Sequence, residues 1–244
     1  MHRKLYFLIL IITIASFSRQ SQAQDINQGL RLGVKIPYTY DIGLFHRFST
    51  RFAMHISSQF VTIPFNNVPI GYMNLWGADE NITAILDDPF LIGAGIDVGG
   101  HYYFGTDNRR YYVVMSLQWM NLLKKDIDDE VINNAFGVDL SSSDFPLGPI
   151  SKEQSTKPLT INTNYVNIGV FFGKILPLYN NPDAELRLEV GINKVIFSHH
   201  NLQSDYRYIS NVTATTNDEL QKTMKKYGWF PTINFYFIHK LKNQ

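Results

Sequence analysis

From Leu30 onward, apolar and polar residues alternate with a period of two in segment after segment. The cleanest case is Leu91 to Phe104, where Ile92, Ala94, Ile96, Val98, Tyr102 and Phe104 fall on one face and Gly93, Gly95, Asp97, Gly99 and His101 on the other. Ala184 to Asn193 is nearly as regular: Ala184, Leu186, Leu188, Val190 and Ile192 alternate with Glu185, Arg187, Glu189, Gly191 and Asn193. Only a β-strand sends successive side chains to opposite faces in this way. Six further runs follow the rule, beginning with Leu30/Leu32/Val34/Ile36 against Arg31/Gly33/Lys35 and Tyr40/Ile42/Leu44 against Asp41/Gly43. Next come Phe52/Met54/Ile56 against Ala53/His55/Ser57 and Tyr111/Val113/Met115/Leu117/Trp119 against Tyr112/Ser116/Gln118. The last two are Val166/Ile168/Val170/Phe172 against Asn167/Gly169/Gly173, and Trp229/Ile233/Phe235/Phe237 against Thr232/Asn234/Tyr236. The pattern predicts eight strands; a further hairpin inside 124–160 would make ten.

The connections sort by length. Short turns rich in Gly, Asn, Asp and Pro lie near Ser49-Thr50, at Gly105 to Arg109 and at Tyr179 to Asp183, which suits tight hairpins. Long connections occupy about 65–90, 124–160 and 201–227, with a compact hairpin near Pro37-Tyr38-Thr39. All the long loops then fall on one side, and both chain ends fall with the short turns on the other. That arrangement is an all-β, antiparallel, up-and-down meander of eight strands.

The N-terminus reads differently. A basic His2-Arg3-Lys4 precedes the apolar run Leu5 to Ser16, too short to span a bilayer as a helix, and Ser21-Gln22-Ala23 supplies small residues for cleavage after Ala23. Residues 1–23 are expected to be a signal peptide and 24–244 the barrel domain. Arg3, Lys4 and Arg19 leave with the peptide, which takes the formal charge from +1 to −2. With no excess of basic residues, a nucleic-acid partner is not expected. With no cysteine, disulfides, thiolate zinc sites and thiol nucleophiles are excluded. No later window approaches 18 apolar residues, so no transmembrane helix is expected.

Alternation alone does not say which face is wet, and three features favour a polar interior and a lipid-facing exterior. The polar face carries Gly33, Gly43, Gly93, Gly95, Gly99, Gly169, Gly173 and Gly191; glycine suits the crowded inside of a small barrel better than an exposed strand. That face also balances Arg31, Lys35 and Arg187 against Asp41, Asp97, Glu185 and Glu189, with His101 among them, as enclosed charges must be balanced. Finally, aromatic residues cluster at both strand ends. Phe45, Phe48, Phe52, Tyr102, Tyr103, Phe104, Tyr111 and Tyr112 flank the short turns, and Trp119, Tyr165 and Trp229 sit near the long loops, as in two interfacial girdles.

The signal peptide, the alternating segments, the short and long connections and the aromatic final strand Trp229 to Leu241 together resemble the small eight-stranded outer-membrane β-barrels of Gram-negative bacteria, of the OmpA transmembrane-domain or OmpX type. The resemblance covers about Gly29 to Leu241. It implies a monomeric, non-enzymatic transmembrane barrel with both termini in the periplasm, in contact with outer-membrane lipid and lipopolysaccharide. It also implies insertion by the outer-membrane assembly machinery, although the chain ends Lys240-Leu241-Lys242-Asn243-Gln244 and not on an aromatic residue.

Eight strands leave an interior just wide enough to be filled by side chains, so a porin is not expected, nor a cofactor or metal. His55-Ile56-Ser57 resembles the His/Ser pair of lipid A deacylase barrels, but Ser58 stands where that motif continues with Asn, and the pair falls on the inward face. A lipid-modifying enzyme would need His55 and Ser57 turned to lipid; a soluble barrel holding an apolar ligand would have the two faces reversed. His199-His200 point opposite ways on a strand and make a poor chelate. Asp126, Asp128, Asp129 and Glu130 lack the spacing of an EF-hand and instead begin a short helix, Asp126 to Phe136. Thr216 to Glu219 forms a capping box ahead of a helix ending near Gly228, with Lys222, Lys225 and Lys226 outward; another helix is expected around Glu80 to Leu86. Loops of this size predict a surface that binds an extracellular protein or ligand.

Overall fold

Eight strands pair in sequence order, and the first pairs back onto the last. They are β1 (Gln28–Ile36), β2 (Thr39–Arg47), β3 (Phe52–Val61), β4 (Ile92–Phe104), β5 (Tyr111–Ile127), β6 (Leu159–Pro177), β7 (Ala184–Gln203) and β8 (Trp229–Lys240), all antiparallel and closed into a barrel. This computed structural model describes residues 28–61, 68–86, 92–104, 110–127, 129–136, 159–178, 181–203 and 210–241; the expected signal peptide lies outside them. Among the described residues no helix is long and apolar enough to cross a membrane.

The wall is uneven. β1 and β2 are 9 residues long and join through a two-residue turn at Pro37-Tyr38, whereas β6 and β7 run to 19 and 20 residues. The tall strands carry the long connections, which hold α1 (Val68–Leu75), α2 (Glu80–Ala84), α3 (Asp129–Phe136) and α4 (Ser210–Tyr227). Two helix boundaries differ from the sequence expectation. Helix α3 begins at Asp129 and not at Asp126, because β5 continues to Ile127, which is buried and pairs with Leu159 of β6. Helix α4 begins at Ser210, six residues ahead of the expected cap at Thr216; Thr216 is buried inside it, so the capping-box letters sit within the helix. Helix α1 was not expected within the long connection.

A change of dressing divides the barrel at the level of Trp119, Val166 and Phe197. On the short-turn side of that level, large apolar side chains point out and polar ones point in, except for an apolar cluster that fills the short-turn end of the lumen. Beyond it the order largely reverses, with Lys124, Thr163, Ser198 and His200 the buried polar exceptions. Met120, Leu122, Ile161, Tyr165, Val195 and Leu202 turn inward and pack with Ile70, Met73, Ile85, Leu220 and Met224 of the loop segments into an apolar core. The outer face of the same strand ends becomes largely polar, with Asn121, Asn162, Asn164, His199, Asn201 and Gln203. A bulge in β7 opposite Val166 and Asn167 falls at this level and puts Ile196 and Phe197 both outward.

Beyond the Lys194–Trp229 pair, β7 has lost β8 as a partner, and α4 covers the open edge. Gly228 accepts from the Val195 N–H at 2.9 Å, Asn217 Oδ1 from the His200 N–H at 2.7 Å, and Gln221 Nε2 donates to the Ser198 carbonyl at 2.9 Å. Two helix side chains and the Gly228 carbonyl just past the helix thus satisfy backbone groups that would otherwise template another strand.

Candidate functional site

The lumen is filled by side chains from every strand, and all eight residues of the expected interior network, Arg31, Lys35, Asp41, Asp97, His101, Glu185, Arg187 and Glu189, are buried in it. They form three connected groups. In the first, Arg31 Nε lies 3.6 Å from Asp41, whose other oxygen accepts from Ser57 (2.8 Å) and Gln59 (3.3 Å); Gln118 bridges from Gln59 to Asn167. In the second, Lys35 Nζ lies 2.5 Å from Asp97, which also meets His55 Nε2 at 2.9 Å, while His55 Nδ1 lies 2.7 Å from His101 Nε2. In the third, nearest the short turns, Arg187 grips Glu185 through Nε (2.6 Å) and Nη2 and donates from Nη1 to the Tyr103 hydroxyl (2.7 Å). Its guanidinium lies 4.0 Å from the Phe45 ring centroid. Beside it, Glu189 accepts from Tyr112 and Asn234, both at 3.1 Å.

The interior glycines make this filling possible. At Gly33 a Cβ would enter the ring of Tyr236, over which the Arg31 guanidinium stacks at 3.7 Å; at Gly99 it would enter the His55 ring, and at Gly173 the Tyr112 ring. Each bare backbone position is the floor under a neighbour's large side chain.

His55 and Ser57 therefore do share a face, as their spacing requires, but it is the lumen face, and both are engaged with Asp97, His101 and Asp41. His199 is exposed and His200 buried, where it meets Thr163 and Ser198. Among the described residues no group of three or more His, Asp or Glu side chains could hold a metal ion. Of the acidic cluster at 126–130, only the Glu130 side chain lies within the described set, and it is exposed.

The aromatic girdles need a correction. Phe48, Phe52, Tyr102, Phe104, Tyr111, Trp119 and Trp229 do face outward, but Phe45, Tyr103, Tyr112 and Tyr165 are buried. The first three of these pack with Ala53, Val114, Phe171, Ile175 and Ile238 into an apolar plug at the short-turn end of the lumen. Parity decides it: each is one residue from an outward neighbour and must point in. What remains outside still forms two rims. Phe52 and Phe60, Tyr111 and Trp119, and Trp229 and Phe237 mark them on three strands, eight residues apart each time. That is about 27 Å of strand, or roughly 20 Å of height at ordinary barrel tilt.

The Glu189 site yields a direct test of the lumen. Replacing Glu189 with leucine leaves the Tyr112 hydroxyl and the Asn234 amide without their acceptor, each worth about 1–3 kcal/mol when buried. The expected outcome is a lower urea midpoint in detergent, with any binding by the loops unchanged.

No family model matches the chain, and no curated protein matches it. Among solved structures it is similar to CarO2 of Acinetobacter baumannii (13% identity, 88% of this chain and 99% of that one, TM-score 0.38). It is also similar to CarO of the same species (10% identity, 91% and 100%, TM-score 0.37) and to a major outer membrane protein of Thermus thermophilus (8% identity, 88% and 99%, TM-score 0.43).

Proposed function

We propose that this chain is a small, non-enzymatic outer-membrane β-barrel protein whose role is structural or interaction-based, with the helix-bearing side outside the cell and both chain ends in the periplasm. The observation that carries the reading is the change of dressing at the Trp119 level. A water-soluble barrel would keep its apolar side chains inside along its whole length. Here Leu44, Ile56, Met115, Leu117 and Val170 of the lower wall are each about half exposed, and large apolar side chains exposed together in this way mark an interaction or membrane surface. The band they form, rimmed by aromatic side chains roughly 20 Å apart in height, is of the order of the lipid-facing belt of a membrane barrel, about 25 Å tall.

The filled lumen favours a scaffold over a channel. Arg31, Arg187, Tyr103, Tyr112 and Tyr236 occupy the space a general pore would need. The inward engagement of His55 and Ser57 speaks against lipid chemistry at that pair. The binding surface of this reading is the outer end, where α1, α2 and α4 rest on an apolar core built from the tall strands.

Fractionation followed by gel mobility in SDS, with and without boiling, tests the reading. A closed ladder with no free edge stays folded in SDS until heated. Recovery in the outer membrane with a heat-dependent shift is expected. Recovery in the periplasm or medium with no shift would overturn it.

A further inference from the structure

The last turn of α4 ends where the outer aromatic rim begins. Trp229 opens β8 and faces outward, and Lys225 and Lys226 precede it by only four and three residues, both exposed. Both belong to the last turn of α4, which leads through Gly228 directly into the strand that Trp229 opens. Lys194 of β7, paired across the ladder with Trp229, ties the helix end to that spot. Its ammonium lies 4.5 Å from the Trp229 ring centroid and donates to the carbonyl of Lys225 and to that of Lys226 at 3.4 Å. From the other side, Trp76 at the end of α1 donates its indole N–H to the Trp229 carbonyl at 3.1 Å.

The result is a ledge of mixed chemistry. Leu75 and Trp76 are 76% and 53% exposed, a poor arrangement for water but a good one at a membrane interface, where tryptophan concentrates. The charge of the helix is segregated in the same direction. Residues 220–227 hold three lysines and no acid, while Asp218 and Glu219 lie a turn or more further from the rim, and Glu219 takes Lys222 at 2.7 Å. Among the described residues Lys225 and Lys226 form no ion pair; both are exposed, and the Lys226 ammonium lies 4.7 Å from the Tyr227 ring centroid.

We propose that Lys194, Lys225 and Lys226, together with Trp76 and Trp229, form a site for the phosphate-bearing headgroup of an outer-leaflet glycolipid. The ammonium groups take the phosphate oxygens, and the indoles and Leu75 cover the apolar shoulder of the same lipid. This rests on the membrane reading above and gives it a defined lipid contact on one flank of the barrel.

The chain has 3 tryptophans, and two of them lie in this ledge, so a Trp119→Phe background makes indole fluorescence report on the site. The experiment titrates the refolded barrel, in neutral detergent, with bisphosphorylated lipid A. A saturable spectral shift is expected, and Lys225→Gln with Lys226→Gln should weaken it about tenfold or more, since each lysine near an anionic headgroup contributes on the order of a factor of five. Equal binding by the double variant, or equal binding of dephosphorylated lipid A, would overturn the site. A shift produced by inorganic phosphate alone, and lost in the variant, would make it a free-anion site and overturn the lipid. Heat-dependent gel mobility is read on the same samples. A barrel that keeps it while binding is unaffected by the variant removes only this proposal, whereas its loss in the wild-type chain removes the membrane reading.

Discussion

Replacing Arg187 with leucine is expected to cost about 3–5 kcal/mol of barrel stability, which is the usual consequence of leaving one half of a buried ion pair behind. Arg187 joins more than one kind of partner in the lumen. Its guanidinium holds Glu185 with two nitrogens, holds the Tyr103 hydroxyl with a third, and lies against the rings of Phe45, Tyr103 and Tyr112. Leucine fills part of the volume but leaves the Glu185 carboxylate enclosed without the guanidinium that grips it, and removes from the Tyr103 hydroxyl one of its donors, Arg47 being the other. Urea unfolding of the refolded protein, followed by tryptophan fluorescence and by heat-dependent gel mobility, measures the loss. The double replacement Arg187→Leu, Glu185→Leu should recover a large part of it, because no uncompensated charge remains. If the single variant unfolds at the wild-type midpoint, the pair is not enclosed as described. If the double variant is no better than the single, the stacked guanidinium and not the ion pair is what the lumen needs.

The strands and their faces were legible in the sequence because enclosure and lipid impose opposite demands on neighbouring residues. Asp97 between Ile96 and Val98, or Arg187 between Leu186 and Leu188, leaves one assignment of inside and outside for the whole strand. The same rule, applied one residue further, places Phe45, Tyr103 and Tyr112 inside, against the expectation that they belonged to the girdle. Their aromatic character at a strand end outweighed their parity in that expectation, although the lumen needs an apolar plug near the short turns as much as the rim needs aromatics. Above the Trp119 level the pattern stops being readable for a physical reason. There the interior is largely apolar and helices cover it, so Leu122 and Leu123 are adjacent apolar residues on opposite faces, and period two fades just where the faces exchange roles. The bulge at Ile196 breaks the count again. The connected groups of the lumen were legible only as a list of charges. That Asp97 would join Lys35 to His55, or that Asp41 would take Ser57 and Gln59, depends on register across strands far apart in sequence.

That exchange of faces sets up the second large effect. Met115 lies midway between the two rims on β5, points outward and is 59% exposed, with no partner to lose beyond its strand neighbours. On a water-soluble protein, arginine at such a position changes stability by no more than about 0.5 kcal/mol. At the midplane of a bilayer it costs about 2–4 kcal/mol, because the guanidinium must be dragged toward a headgroup or keep water with it. Met115→Arg should therefore lower the stability of the barrel in lipid vesicles by that larger amount. Asn201→Arg, also outward and exposed but on β7 beyond the rim, should leave it within about 0.5 kcal/mol. The two substitutions add the same group to the same kind of strand surface, so the difference between them measures the solvent at each height. Equal, small effects in both would mean that water bathes the whole outer wall, and the half-exposed leucines and isoleucines of the lower barrel would then need a protein partner to cover them. Equal, large effects would extend the lipid past the Trp119 level and leave the polar collar of Asn121, Asn164 and Asn201 without a reason to be where it is.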